Sequence, residues 1–320
     1  MSDLTPHGVV PSLGQTAVRP SWNSLPPPVR RSIAGRLGSP IQSVADQRGG
    51  FTPGVAARLT LDGDAVFIKA VLSDHPLGDA YRHEARTADQ LPHAAPAPQL
   101  RWHDRIGDWF VLVFDAVAGR HPDLSPSLAD IPHVIAAITA MSRVLTPCPV
   151  PLPPSAAGRG SWLHGWSDLL DDPPEDLTVW ERDHLIELAQ IERVWPTHAD
   201  GATLVHGDIR PDNMLITPAE EVVIVDWAHA SCGAAWQDTA DLIPHMIMAG
   251  HDPCTVEKHL IGAPAWDTAH SETITSYAAA YAGYWARMSR KPAPAGVPHL
   301  RGYQRRASRA ALAWLQARVS

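Results

Sequence analysis

After an irregular start, the first part of this 320-residue chain contains several runs of strand length, in which the residues are mostly apolar or alternate between apolar and polar. Residues 55–61 and 65–71 are two such runs, and the sequence DGD at 62–64 is a typical hairpin turn between them. Residues 109–114 form a third apolar run. A glycine-rich turn at 49–54 precedes these strands, so the pattern predicts a β-rich region near the N-terminus.

The later part of the chain follows the 3.6-residue period of helices. Helical patterns cover 28–37, 75–91, 131–145, 177–195, 237–249, 268–290 and 302–318, and a loop rich in Pro, Gly and Trp runs to about residue 174. Within 131–145 one face is apolar, and it carries Ile131, Val134, Ile135, Ile138, Met141 and Leu145. Strands come early and helices late, which predicts an α+β fold of two lobes.

These patterns predict three segments. Residues 1–28 are rich in Pro, Ser and Gly and are expected to form a flexible leader, although Trp22 and Leu25 could dock onto the body. Residues 29–116 form a β-rich N-lobe that binds a nucleotide. Residues 117–320 form a larger, mainly helical C-lobe with the catalytic loop, the metal site and the acceptor site.

Composition narrows the class of protein. Hydrophobic residues make up 45% of the chain, which is typical of a globular protein. We find no apolar run of the ~20 residues that a membrane helix needs, and no signal peptide at the N-terminus. Three cysteines without a C-x-x-C pair argue against a disulfide framework or structural zinc site. We therefore expect a cytoplasmic protein without a membrane partner.

Charge is spread unevenly along the chain. Residues 117–286 hold 23 acidic side chains against 7 Lys and Arg, a net charge of −16, whereas residues 287–320 hold 8 basic side chains and no acidic one. The acidic middle should repel nucleic acid and attract cations. The basic end is expected to lie against the acidic middle as a solvated helix face.

The most informative segment for chemistry is HGDIRPDN at residues 206–213, which has the H-x-D-x-x-x-x-N spacing of kinase catalytic loops. Asp226 follows Asp208 by 18 residues, at the end of the apolar run 222–225. Phosphoryl transfer needs one carboxylate to orient a hydroxyl, and an amide oxygen and a second carboxylate to hold Mg²⁺ on the phosphates. Asp208, Asn213 and Asp226 supply that set.

Two upstream residues fit the same chemistry. Lys69 lies inside the apolar strand 65–71, where an ammonium group is costly without an anionic partner. Glu84 lies 15 residues later in the next predicted helix. A strand lysine that pairs with a helix glutamate and with nucleotide phosphates is the kinase arrangement. The turn at 49–54 is the candidate for the loop that covers the nucleotide, with Gly50, Phe51 and Thr52 as its predicted contacts.

Other classes of protein fit less well. There is no Walker G-x-x-x-x-G-K-[ST] motif, and the sequence HEART at 83–87 is not the H-E-x-x-H motif of zinc proteases. A protein kinase would carry A-P-E after Asp226, and none is present. A catalytically inactive nucleotide-binding protein remains an alternative, although it would normally have lost one of the four central residues.

On these residues the chain resembles the aminoglycoside phosphotransferase family, whose members show H-G-D-x-x-P-x-N followed by a hydrophobic strand and I/V-D-W or I/V-D-F. The matching segments are 206–213 and VDW at 225–227, and AWQD at 235–238 looks like a later helix start of the family. Arg210 stands where many relatives carry His, and Asp212 where many carry Gly.

The resemblance implies a bilobal protein-kinase-like fold and assigns roles by position. Asp208 would be the catalytic base, Asn213 and Asp226 would bind Mg²⁺, and Arg210 would act on the γ-phosphate. Lys69 and Glu84 would anchor the nucleotide, ATP or GTP. The lobe hinge would meet the adenine at Phe114, Asp115 and Val117.

The family fixes the reaction type more closely than the substrate. We expect transfer of the γ-phosphate to a hydroxyl of a small molecule. A cationic antibiotic such as an aminoglycoside or basic peptide suits the acidic middle, and phosphorylation would then confer antibiotic resistance. A small metabolite of the amino alcohol, homoserine or sugar type remains the alternative.

Overall fold

The structure is a computed structural model that describes residues 18–127 and 130–319. It has the α+β architecture expected from the sequence, with a five-stranded antiparallel sheet followed by a larger helical region. Residues 1–17 of the predicted leader lie outside the described part. Within that part, no helix is both long and apolar enough to span a membrane.

The N-terminal sheet has the strand order β1-β2-β3-β5-β4. Two of its strands were not predicted from the sequence. These are β1, whose four residues are all exposed, and β4, whose apolar positions alternate with Arg and His. Both lie at an edge of the sheet and bury little apolar surface, so their signal is weak. The strands are β1 Ser43–Asp46, β2 Val55–Thr60, β3 Ala65–Leu72, β4 Leu100–Ile106 and β5 Trp109–Asp115.

The two faces of this sheet have different neighbours. One face buries alternating apolar side chains of β2 and β3 against helix α1 (Pro27–Leu37), together with Trp22 and Leu25. The opposite face carries Lys69 and packs on helix α2 (Gly78–Ala88). Because side chains alternate along a strand, a lysine at position 69 lies on the face away from α1.

The C-terminal region contains the remaining helices around one large apolar core. Four short strands form two pairs, β6 with β9 and β7 with β8, next to the predicted catalytic loop. The helices are α3 Asp130–Val144, α4 Ser155–Gly158, α5 Gly165–Asp171, α6 Val179–Glu192, α7 Trp236–Met248, α8 Pro264–Asp267, α9 Ser271–Arg290 and α10 Leu300–Val319. The strands are β6 Thr203–Val205, β7 Met214–Ile216, β8 Val222–Ile224 and β9 Ser231–Gly233.

Helix α5 corrects the prediction of a continuous loop to residue 174. The backbone N–H groups of Trp166 and Ser167, its second and third residues, donate to the buried carboxylate of Glu192 on α6, at 2.9 Å each. Gly165 crosses Gly283 of α9 so closely that a Cβ atom on Gly165 would lie 2.0 Å from the Gly283 carbonyl oxygen. Glu192, which caps this helix, and Gly283, which it crosses, both lie far from α5 in the sequence. The local periodicity of residues 165–171 therefore could not predict the helix.

A buried ion pair ties the helical region together. Arg159 donates from Nη2 to both carboxylate oxygens of Asp241 at 2.9 Å, and the hydroxyl of Tyr277 also donates to Asp241. These three side chains come from a short turn, α7 and α9. A buried pair of this kind becomes costly when one partner is removed, because the other charge then stays in the core.

The basic end of the chain lies against acidic segments, as the charge pattern predicted. Arg287 pairs with Asp168 of α5, and Arg290 Nε lies 2.8 Å from Asp176 Oδ1. Arg318 similarly pairs with Glu257. Part of the net charge of the middle segment is therefore balanced within the chain.

Candidate active site

The predicted catalytic loop begins directly after β6 and is held through its backbone. The N–H groups of His206 and Gly207 donate to the two carboxylate oxygens of Asp238 at 2.8 and 2.9 Å. Burial raises the pKa of Asp238 to about 7, with a further contribution from nearby Asp241. Gly207 has a φ of +77°, and a Cβ atom there would lie 2.6 Å from the His229 carbonyl oxygen, so this position requires glycine.

His206 joins the catalytic loop to the strand that leads to Asp226. Its Nδ1 accepts from the Asp208 N–H at 3.2 Å, and its Nε2 lies 3.0 Å from the carbonyl oxygen of Val225. This arrangement requires the neutral ring with its proton on Nε2. Burial lowers the pKa of His206, which favours that neutral form. The buried histidine thus has a structural part in the motif.

Asp208 and Asn213 lie side by side at the two ends of the loop. The Asn213 amide nitrogen donates to the backbone oxygen of Asp208 at 2.9 Å and to Oδ2 of its carboxylate at 2.8 Å. The Asp208 side chain is 26% exposed and so remains open to the space between the lobes. Since both donor contacts of Asn213 go to Asp208, its amide oxygen points away from that residue.

Lys69 bridges the two lobes. Its ammonium group lies 2.6 Å from Glu84 Oε2 on α2 and 2.8 Å from Asp226 Oδ1 after β8. Burial alone would lower the pKa of Lys69, but the charges of Asp226 and Glu84 outweigh it and raise the value. Burial alone would raise the pKa of Asp226. The positive charge of Lys69 outweighs that effect, so the pKa of Asp226 is lowered.

Glu84 is the most buried member of this group, and burial raises its pKa to about 7 against the opposing charge of Lys69. It also accepts a hydrogen bond from the backbone N–H of Trp227. Next to it, His83 Nε2 lies 2.8 Å from the Ala230 carbonyl oxygen. Helix α2 is therefore attached to the segment that carries Asp226.

Asp226 itself adopts a left-handed backbone conformation, with φ 68° and ψ 65°. This region is uncommon for residues other than glycine, although Asp tolerates it better than most. The adjacent Val225 N–H donates to the Asn213 carbonyl oxygen at 2.9 Å. The strained turn therefore sets the Asp226 carboxylate beside the end of the catalytic loop.

The donor set fits a magnesium ion that is shared with phosphates. Asp226 offers a carboxylate and Asn213 an outward amide oxygen, which are ligand types that Mg²⁺ prefers. Among the residues that the structure describes, no group of three or more His, Cys, Asp or Glu side chains could hold a metal ion by itself. Mg²⁺ typically takes one or two protein carboxylates and completes its shell with phosphate and water, so a site with so few protein ligands would need the nucleotide.

Arg210 lies beside this group, buried against two aromatic rings that also contact each other. Its Nη2 lies 2.7 Å from Asp212 Oδ2, and its Nε is 3.7 Å from Asp208 Oδ2. Its guanidinium carbon lies 5.0 Å from the ring centre of Phe51 and 5.6 Å from that of Tyr303. Phe51, expected at the nucleotide, is instead packed on Arg210 and on Tyr303 of α10 in this structure.

The other predicted nucleotide contacts lie in the same turn and at the lobe junction. Gly50 has a φ of +74° in the glycine-rich turn, where Thr52 is half-buried. Phe114 is buried between the sheet and α2. The Asp115 carboxylate pairs with Arg101 at 2.6 Å.

Val117, the third residue predicted at the lobe hinge, contacts the N-terminal sheet through its backbone. Its carbonyl oxygen accepts from Nη1 of Arg58 on β2, at 3.3 Å.

Three residues at this site were not predicted to act there. Asp238 holds the catalytic loop, Tyr303 supports Arg210, and Arg19 donates to the carbonyl oxygens of Gly49 and Gly54. Asp238 could have been predicted from the sequence, because the AWQD segment at 235–238 resembles a helix start of the family. Arg19 and Tyr303 belong to segments without a motif, and tertiary contacts alone reveal them.

Comparison with known proteins gives a family and a fold. A model of the phosphotransferase enzyme family matches residues 48–289. Among solved structures, aminoglycoside phosphotransferase APH(4)-Ia is 12% identical with a TM-score of 0.60, over 91% of this chain and 97% of that chain. Choline kinase LicA from Streptococcus pneumoniae is 13% identical with a TM-score of 0.62, over 90% and 98%.

A putative aminoglycoside phosphotransferase from Ralstonia eutropha is 16% identical with a TM-score of 0.59, over 88% of this chain and 93% of that chain. No match was found among curated proteins. At these identities the solved structures show the fold alone, and they confirm the expected bilobal kinase-like architecture.

The Lys69–Glu84 contact predicts strong coupling between the two residues. We expect K69M and E84Q each to weaken binding of Mg-ATP, and the double variant to be little worse than K69M, because Glu84 acts by holding Lys69. The coupling free energy should be about 1 kcal/mol or more in a double-mutant cycle measured by titration calorimetry. Additive losses would mean that Glu84 acts independently of Lys69.

Proposed function

The chain belongs to the phosphotransferase enzyme family, and from that membership we propose that it moves the γ-phosphate of ATP or GTP to a hydroxyl group of a small, cationic molecule. The observation that carries this proposal is the contact of Lys69 with both Glu84 and Asp226, at 2.6 and 2.8 Å, beside the hydrogen-bonded pair of Asp208 and Asn213. Phosphoryl transfer depends mainly on such positioning of charged groups.

In the proposed reaction, each charged group has one task. Lys69 binds nucleotide phosphates, and Glu84 keeps its ammonium group in place. Asp208 orients the acceptor hydroxyl and accepts its proton as the new oxygen–phosphorus bond forms. The bond between the γ-phosphorus and the β–γ bridging oxygen breaks in the same step, and the nucleoside diphosphate leaves. Asn213 and Asp226 would hold Mg²⁺, which when bound would supply positive charge at the phosphates. Arg210 lies within reach of Asp208 and offers a guanidinium group to the transferred phosphoryl group.

The nucleotide is proposed to lie between the turn 49–54 and the catalytic loop, with its base at the lobe junction. Solved structures of the same fold include a complex of an aminoglycoside phosphotransferase with ADP and another with AMP-PNP. Gly50, Phe51 and Thr52 would cover the phosphates. Phe51 would then have to leave its present position against Arg210.

The proposed charge of the acceptor rests on the C-lobe. Residues 117–286 carry a net charge of −16, and Asp171, Asp172 and Glu175 remain exposed at the end of α5 and after it. Helix α5 starts three residues after Trp162, whose ring contacts His229 in the segment after Asp226. Because these carboxylates belong to the other end of α5, it is the net charge of the C-lobe that favours a cationic acceptor such as an aminoglycoside or basic peptide antibiotic.

A metabolite kinase is the second candidate, and aromatic side chains favour it. The Trp162 ring lies 4.9 Å from that of Tyr284 and 6.3 Å from that of His229. Burial raises the pKa of Tyr284 to about 12, and the charge of Asp208 contributes to that rise. Aromatic faces bind compact ammonium groups, so an amino alcohol also suits the site. One structural neighbour is a choline kinase.

The reaction is tested by replacing the proposed base. We expect D208N to lower acceptor phosphorylation by on the order of 10²–10⁴, because the amide cannot accept the hydroxyl proton. ADP release should be measured across aminoglycosides, basic peptides, macrolides and amino alcohols. Mg-ATP affinity should stay close to that of the wild type. A folded D208N variant that keeps more than about a tenth of wild-type turnover would contradict the assignment.

Ionic strength tests the proposed charge of the acceptor. We expect KM for the acceptor to rise with salt, because exposed charges are screened over about 10 Å at 0.1 M. Reversing Asp171 and Asp172 to Lys should raise this KM more than KM for ATP. Reversal of the exposed pair Glu220 and Glu221, in the turn between β7 and β8, is the matched control. A neutral acceptor or a salt-independent KM would contradict a cationic site.

A further inference from the structure

Residues 18–25, here termed the strap, precede the part of the chain that matches the family model and run along the glycine-rich turn 49–54. Trp22 and Leu25 anchor the strap in the N-lobe core, where they are 5% and 1% exposed. The Trp22 N–H also donates to Asp46 Oδ1 at 2.7 Å. The strap is thus built into the N-lobe, and Arg19 is held three residues from a buried anchor.

The Arg19 guanidinium spans both ends of the turn. Its Nε and Nη2 donate to the Gly49 carbonyl oxygen at 3.0 and 2.8 Å, and its Nη1 donates to the Gly54 carbonyl oxygen at 3.3 Å. The preceding Val18 N–H donates to the Gly296 carbonyl oxygen at 2.8 Å, in the segment between α9 and α10. The strap therefore contacts the turn above the site and the C-lobe at the same time.

Arg19 reaches the neighbourhood of Lys69 through Gly54 and Tyr81. Its Nη1 donates to the Gly54 carbonyl oxygen, and a Cβ atom on Gly54 would lie 2.1 Å from the Tyr81 hydroxyl. The Tyr81 ring centre in turn lies 5.5 Å from Lys69 Nζ. Burial lowers the pKa of Arg19, and the charges that oppose this shift include those of Tyr81 and Asp226. An arginine remains protonated under such conditions, so its positive charge lies near the proposed phosphate site.

The balance of charge explains why a further cationic side chain would be useful here, since a nucleoside triphosphate carries more negative charge than one Mg²⁺ would offset. The site contains four carboxylates, from Glu84, Asp208, Asp212 and Asp226, and two cations from the part of the chain that matches the family, Lys69 and Arg210. A nucleoside triphosphate adds further negative charge. A guanidinium fork has five N–H donors and binds phosphate oxygens in pairs.

We propose that Arg19 is a nucleotide-binding residue that contacts the terminal phosphates of the bound nucleoside triphosphate from beneath the turn 49–54. This inference rests on the proposed function and adds a residue from outside the matched region to its site. The three contacts to Gly49 and Gly54 hold the guanidinium and the turn together. The N–H groups not used in these contacts donate to phosphate oxygens.

The same position suggests the opposite role, in which Arg19 occupies the phosphate site and inhibits nucleotide binding. The sign of the effect separates the two. A phosphate ligand strengthens binding, so its removal weakens affinity for ATP. A blocking residue competes with the nucleotide, so its removal strengthens affinity for ATP.

The test is titration calorimetry of the full chain with Mg-ATP, and with AMP as a probe that lacks the terminal phosphates. We expect R19A to weaken Mg-ATP binding by about tenfold or more, because a charge-assisted bidentate contact is lost. AMP affinity should change by less than about twofold. The variant R31A, which removes an exposed arginine on α1, is the matched control and should behave as the wild type.

A conservative variant guards against a folding defect. R19Q keeps an N–H donor for the turn but lacks the charge, and thermal unfolding without nucleotide should match that of the wild type. It should still weaken Mg-ATP binding more than AMP binding. Unchanged or tighter Mg-ATP binding by folded R19A or R19Q would overturn the role of Arg19 and leave the proposed function intact. Failure of the wild-type chain to bind either Mg-ATP or Mg-GTP would overturn both.

Discussion

The buried ammonium group of Lys69 is the interaction on which the rest of the site depends. A lysine in the middle of an apolar strand is costly unless anionic groups surround it, and here Glu84 and Asp226 lie 2.6 and 2.8 Å away. One charge therefore joins strand β3, helix α2 and the turn after β8. Because these elements come from both lobes, the lysine fixes the lobes relative to each other at the place where a triphosphate would bind.

Backbone contacts arrange the remaining groups around that charge. Asp238 accepts from two successive N–H groups of the catalytic loop, and His206 joins the loop to the strand before Asp226. The turn at Asp226 and the hydrogen bonds of Asn213 then bring Asp208 and the two proposed metal ligands, Asn213 and Asp226, together. In the C-lobe the site is thus held through backbone hydrogen bonds, whereas the turn 49–54 is held by side chains, among them Arg19 and Phe51.

The sequence predicted the parts that depend on short-range patterns. Family and fold class are confirmed, and strands β2, β3 and β5 are found where the apolar runs place them. Edge strands β1 and β4 were missed because they bury few side chains, and α5 because its cap, Glu192, lies on another helix. The residues of 206–226 could be found from spacing alone. Arg19 and Tyr303 could not, since their roles exist only through tertiary contacts, and the assigned roles of all site residues stay predictions.

The role of Asp226 is tested most directly by nucleotide affinity with and without Mg²⁺, in the wild-type chain and in D226N. Asp226 contacts Lys69 and is also a proposed metal ligand, so nucleotide binding and its dependence on Mg²⁺ should both rely on this carboxylate. We expect Mg²⁺ to strengthen ATP binding in the wild type, and that strengthening to be lost in a folded D226N variant. Equal dependence on Mg²⁺ in both proteins would contradict this role, because the metal would then be held elsewhere.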